Sequence, residues 1–145
     1  MTPKMVGMDD AVSRYCAATE AGDVDAFMAT MAPDVEVVSP ISGRMVFRGQ
    51  DDVRFLLSAV YGTLGKVDWT KVVGDGEDRV AVGVTRIAGI GMTDAMVFEL
   101  DSEGRIRRIS PHLRPWLALS VFALLLGPKV GRRPGVVRRA LAAGS

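Results

Sequence analysis

A tyrosine, an aspartate and a histidine in this chain have the chemistry to donate or move protons if folding places them in an apolar interior. Tyr15 shares one helical face with Val12, Cys16 and Thr19, at i, i+3, i+4 and i+7 spacing. Its phenol then either polarises a carbonyl in a cavity or is a core tyrosine with a satisfied hydroxyl. Asp94 lies two residues before Met96 on a predicted strand, so the two side chains share a face. Enclosed among apolar groups, its carboxyl is raised toward neutrality by desolvation and can exchange protons; at a cavity mouth it is hydrated and inert. His112, between Pro111 and Arg114, reads as a cavity acid/base or as an ordinary strand-end residue. Cys16 has no evident base or metal partner and reads most simply as a small buried residue.

Other chemistries are excluded by supply. One cysteine and one histidine among 145 residues rule out a disulfide framework and a cysteine-ligated zinc site, and leave histidine-based metal binding without ligands. Gly89-Ile90-Gly91 has the look of a phosphate loop, but no Lys-Ser/Thr follows and it leads into a strand, so a hairpin turn is expected. Neither a metal nor a cofactor is implied. The formal net charge of +1 hides a split. Residues 1–103 hold 9 Lys/Arg against 17 Asp/Glu, whereas residues 104–145 hold 9 Lys/Arg and no acid.

The elements that must position these groups follow from periodicity. A helix is predicted from Asp9 to Ala21, with Asp9 or Asp10 as its cap and Gly22 as its end, and a second from Val24 to Met31, stopped by Pro33. Short strands follow at Val35–Ser39 and Arg44–Arg48. A third helix spans Gly49–Tyr61, with Val53, Leu56, Leu57 and Val60 as its stripe. Strands at Lys66–Val73, Arg79–Ala88, Thr93–Leu100 and Arg105–Leu113 follow without intervening helices, which predicts an antiparallel meander. The chain is therefore expected to be α+β: one domain over residues 1–113 and an apolar and basic extension over residues 114–145, packed on that domain or on a dimer partner.

The run AVSRYCAATEAGDVDAFMATMAPDVEVVSP resembles the opening of the nuclear-transport-factor-like superfamily. GQDDVRFLLSAVY is similar to that family's third helix, and VFELDSEGRIRRI to its final hairpin. The resemblance implies a cone-shaped, curved antiparallel sheet wrapped around N-terminal helices (the cystatin-like α+β barrel), a deep apolar cavity and a homodimer. It also implies a hydrophobic small-molecule partner, and either chemistry or plain binding, since the superfamily holds ketosteroid isomerases, SnoaL-like cyclases, limonene epoxide hydrolases and non-enzymatic modules. Tyr15 matches the isomerases' oxyanion tyrosine. Their base position holds Ser39, a poor base with no histidine or lysine beside it, and their second oxyanion donor falls on Met96. Asp94 is instead similar to the aspartate that SnoaL-like cyclases carry near the start of this strand. The epoxide hydrolase triad is absent: Arg86 is present, but its carboxylate partners are replaced by Ala88 and, near the last strand's end, Pro111. Asp94 and Tyr15 are the expected catalytic pair, with Ser39, Phe55, Trp69, Met92, Met96, Ile109 and His112 as cavity residues or, for the apolar ones, ordinary core.

The extension has two parts, the apolar run Trp116 to Leu126 and a basic stretch. The run would span roughly 16 Å as a helix, against about 30 Å of bilayer hydrocarbon, so it does not cross a membrane. With no apolar leader at the N-terminus, a cytoplasmic setting is the expectation. The run is expected to cover the cone opening or a dimer interface; the alternative is peripheral membrane contact by residues 116–139. GPKVGRRPG is expected to be a connector before a short helix, Val136–Ala143. Nucleic acid is not an expected partner, because the folded part is acidic and the tail lacks interleaved aromatics.

Overall fold

A computed structural model describes residues 10–144. The N-terminal helix α1 (Ala11–Ala21) starts where Asp10 Oδ1 accepts the Ser13 amide at 2.9 Å and ends at Gly22, whose φ of 71° closes the left-handed cap. The other cap candidate, Asp9, lies outside the described residues. Helix α2 (Val24–Met28) is capped by Asp23, which accepts the Ala26 amide at 3.0 Å.

This second helix stops three residues short of its predicted end, because Met31 is taken into strand β1 (Met31–Val38) and pairs with Ile106. Pro33 was expected to break a helix and instead sits inside β1. It falls within the register irregularity between Met31 and Glu36, where its missing N–H costs no ladder bond. After the 39–45 loop come β2 (Val46–Arg48), α3 (Gln50–Thr63), β3 (Asp68–Asp75), β4 (Asp78–Ile87), β5 (Ile90–Leu100) and β6 (Ile106–Arg114). The β4–β5 hairpin turns through Ala88 and Gly89, both with positive φ, so the glycine-rich run there is a tight turn.

The chain is α+β, with one curved six-stranded sheet in the order β2-β1-β6-β5-β4-β3. From β3 to β6 it is the expected antiparallel meander. It is mixed as a whole, because β1 lies parallel to β6. That pairing is open to strands separated by a long excursion, here α3 and the meander, and closed to strands joined by a hairpin. The sheet's concave face packs on α1, α2 and α3 around Tyr15, Phe27, Trp69 and Phe98, all essentially fully buried, with Tyr15 and Phe98 ring centroids 5.2 Å apart.

The extension folds as two helices, α4 (Trp116–Val130) and α5 (Pro134–Ala143). Helix α4 runs past Leu126 and through Pro128, into the stretch expected to be a connector. Ala118, Phe122, Leu126 and Val130 form one buried stripe at four-residue spacing, and Lys129 Nζ donates to Thr63 Oγ1 at 2.7 Å, so its last turn is held to α3 although Pro128 withholds a helical hydrogen bond. Pro134 then occupies the first turn of α5, where its lost donor is harmless. The tail's charge is partly spent on the acidic part of the chain. Arg139 clasps Asp52 through two bonds of 2.9 Å, and Glu36 accepts from both Arg48 and Arg108 at 2.7 Å. Among the described residues, no helix is long and apolar enough to cross a membrane.

Candidate functional site

The inward row of β5 reads Met92, Asp94, Met96, Phe98, Leu100, every one buried. Alternation alone therefore drives a carboxylate into an apolar interior. Asp94 faces Gly83 on β4 and Leu113 on β6. Gly83 has no side chain to offer because the Trp69 indole lies against it; a Cβ there would sit 2.8 Å from the ring. Trp69 is fixed in turn by its Nε1, which donates to Thr19 Oγ1 at 2.8 Å.

Above Asp94 is a cavity of about 340 Å³, enclosed by the sheet, α3, α4 and the 39–45 loop. Most of its wall is apolar, with Phe47, Leu57, Met96, Phe122 and Leu126 prominent. Ile41, half exposed, brings one end of it to the surface. Its polar side chains divide sharply by what they already do. Ser39 Oγ accepts the amides of Ile41 and Ser42 at 3.1 and 3.2 Å, and so holds the loop. Thr85 Oγ1 is directed at the Gly65 and Lys66 carbonyls, each 3.1 Å away. Asp94 Oδ1, by contrast, is buried without a hydrogen-bond partner among the described residues. Desolvation pushes the Asp94 carboxyl up to about 7, with the His112 backbone amide pulling the other way.

The other polar side chain on the wall that could meet a ligand is Tyr61, from α3. Its hydroxyl lies 2.6 Å from that of Tyr15, which also reaches Met96 Sδ at 3.8 Å. Burial raises both phenols above the ordinary tyrosine range, and the nearby Asp94 charge adds to this, so each remains a neutral donor throughout the physiological range. Only Tyr61 borders the cavity; Tyr15 stands behind it, wholly buried. With the Tyr15 hydroxyl donating to Met96 Sδ, Tyr61 donates to Tyr15; turning the Tyr15 proton onto Tyr61 instead frees the Tyr61 proton for a ligand oxygen.

The structure thus brings Asp94, Ser39 and Met96 to the cavity and holds Tyr15 one hydrogen bond away. It places the other expected residues elsewhere. Trp69 and Ile109 are buried deeper, Trp69 in the aromatic core and Ile109 beside Val37 on β1. Met92 faces inward but lies outside the cavity wall. Phe55 is turned toward α5, where the Arg133 guanidinium sits 4.6 Å above its ring. His112 is on the outer face of the sheet and exposed, since alternation gives the inward places to Pro111 and Leu113; its Nδ1 lies 3.3 Å from the Ala95 carbonyl. The sequence reading overlooked Tyr61, although Leu57, Tyr61 and Leu64 continue the apolar stripe of α3 at i, i+4 and i+7. It also did not single out Gly83, whose bareness is legible only once Trp69 is seen across from it.

The SnoaL-like domain family model matches residues 12–109. In three dimensions the chain is similar to an uncharacterized protein with a cystatin-like fold from Silicibacter pomeroyi. The two are 19% identical with a TM-score of 0.84, over 94% of this chain and 97% of that one. Residues 1–113 cannot supply so large a share, so the likeness extends into α4 and α5. A steroid delta-isomerase from Pseudomonas aeruginosa is similar over 86% of this chain and 89% of its own, at 20% identity and a TM-score of 0.73. A de novo designed protein with a curved β-sheet reaches a TM-score of 0.62 at 19% identity, over 79% of this chain and 93% of its own. At these identities the likeness is one of fold. No curated protein matches the chain in sequence.

Proposed function

The chain belongs to the SnoaL-like family, and from that footing we propose that it binds a largely apolar ketone in its cavity and moves a proton on it, as an isomerase or cyclase does. The supporting observation is the buried Asp94 carboxyl, whose Oδ1 has no hydrogen-bond partner among the described residues and which desolvation places close to half-ionised at neutral pH. That is the working range of a general acid/base. The ionised carboxylate takes a proton from the carbon next to the ligand carbonyl. The electron pair moves onto the carbonyl oxygen, which accepts a hydrogen bond from Tyr61, and the enolate is stabilised while Tyr15 steadies the Tyr61 hydroxyl. The carboxylic acid then returns the proton to a different carbon for isomerisation; in an aldol-type closure the enolate carbon instead bonds to a second carbonyl carbon, and the acid protonates the alkoxide formed there, which regenerates the carboxylate. Asp94 and Tyr61 are the proposed catalytic residues in this reading and Tyr15 a positioning residue.

The test is conversion of a β,γ-unsaturated keto-steroid to its conjugated isomer, followed by absorbance, in the unaltered protein and in Asp94→Asn, Tyr61→Phe and Tyr15→Phe. Asp94→Asn should abolish turnover and retain binding. Tyr61→Phe should lower kcat by roughly a hundredfold, the scale of one lost oxyanion donor, with Tyr15→Phe affected less. Turnover that survives Asp94→Asn ends the proposal. A second reading, a non-catalytic binding module of the same fold, draws support from Ser39, which holds the loop with its hydroxyl where the isomerases place their base. Saturable binding with no turnover of keto-steroids or polyketide analogues would favour it.

A further inference from the structure

Helix α4 has two apolar faces and the cone uses one. The inner stripe, Ala118, Phe122, Leu126 and Val130, closes the core and the cavity. On the other side Leu117, Leu124 and Pro128 follow one another at helical spacing and face outward, with Trp116 and Leu125 flanking them. Trp116 is 78% exposed and Leu124 76%. Single exposed leucines need no explanation, but a helix apolar all round is normally covered on every side.

The charges indicate what covers it. Arg114 stands just before the helix and Arg132 just after it, and Arg138 shares an exposed face of α5 with Leu141. Among the described residues no acid pairs with Arg114, Arg132 or Arg138, in contrast to Arg139 with its Asp52. From residue 104 onward the chain contains no acid at all. A second copy docked symmetrically on this face would set cation against cation, because a two-fold contact pairs a patch with itself. An anionic lipid surface offers the complement to both features: hydrocarbon for the leucines and the indole, phosphate for the arginines at either end. A helix held between a protein core and lipid has no polar face to show, which accounts for the lack of amphipathicity in α4. Its 15 residues span about 22 Å, short of the roughly 30 Å hydrocarbon layer, so the contact lies along the surface.

We propose that the outward face of α4, flanked by Arg114 and Arg132, docks this protein on anionic membrane surfaces. The inference stands whether or not the cavity performs chemistry.

The experiment is co-sedimentation of the full chain with vesicles of phosphatidylcholine alone and of phosphatidylcholine mixed with phosphatidylglycerol, at low and high salt. The expected result is binding to the anionic vesicles, weakened by salt, with a blue shift of the exposed Trp116 fluorescence. Arg114→Gln with Arg132→Gln should weaken partition by roughly 30-fold. Leu117→Glu with Leu124→Glu should abolish it without altering thermal unfolding, since both side chains are exposed. No binding to either vesicle overturns the proposal, as does binding indifferent to the leucine variant. A dimer in analytical ultracentrifugation that the same leucine variant breaks also overturns it, and gives this face to a second copy.

Discussion

Replacing Asp94 by asparagine should shift stability in favour of the variant progressively as pH rises from about 4 to about 7, and by a constant amount above that. In the folded chain burial lifts the carboxyl from 3.8 to about 7, while in the unfolded chain it keeps its ordinary value. Below about pH 4 both states hold the proton and ionisation costs the fold nothing. As pH rises between the two values the unfolded chain releases its proton while the folded chain keeps it, so stability falls by about 1.36 kcal/mol per pH unit. Above about 7 both are ionised and the full penalty, of order 4 kcal/mol, is in place. With the residue only 7% exposed, water does little to screen it. Asparagine has nearly the same shape and no ionisation. Whatever its buried amide costs is constant with pH and cancels when the difference between the two proteins is followed. Urea unfolding of both at a series of pH values is the assay. Between about pH 5 and about pH 8 the difference should move by about 3 kcal/mol in favour of the variant. Parallel stability curves would show that Asp94 ionises with little penalty, by reaching water or a cation, and the acid/base reading of the cavity would lose its premise.

Gly83→Ala should destabilise by about 1–3 kcal/mol, the usual cost of overpacking, because its methyl group would lie 2.8 Å from the Trp69 ring. A shift in buried tryptophan fluorescence, as the Thr19 bond is strained, would locate the damage; unchanged emission and stability would refute the close contact. Phe122→Ala and Leu124→Ala, two residues apart on α4, should differ by several-fold. The first empties the cavity wall at about 3 kcal/mol or more, whereas the second removes an exposed side chain for under about 0.5 kcal/mol. Equal costs in chemical denaturation would mean that the outward face is covered in the isolated protein.

How far the site could be read from the sequence turns on the difference between facing inward and bordering empty space. Period-two alternation places Asp94 inward with no knowledge of the rest of the fold, and the same rule, applied along β6, gives the inward places to Pro111 and Leu113 and turns His112 out. Local spacing carries that much. It does not carry depth. Tyr15, Trp69, Met92 and Ile109 all face inward, yet none of them borders the cavity; for two of them the reason comes from distant parts of the chain, since Tyr61 lies before Tyr15 and Trp69 is packed on Gly83 and bonded to Thr19. The same limit explains the two errors of length. Pro33 and Pro128 are reliable stops only when the local chain decides; a parallel strand 73 residues on in one case, and the stripe from Ala118 to Val130 in the other, decide against them. The basic extension is the strongest instance. A run of apolar residues followed by arginines says that something must cover it, but only the packed helix shows that the cone accounts for one side. The opposite side, flanked by Arg114 and Arg132, which pair with no acid among the described residues, is the face proposed above to meet a surface that is apolar in the middle and negative at its edge.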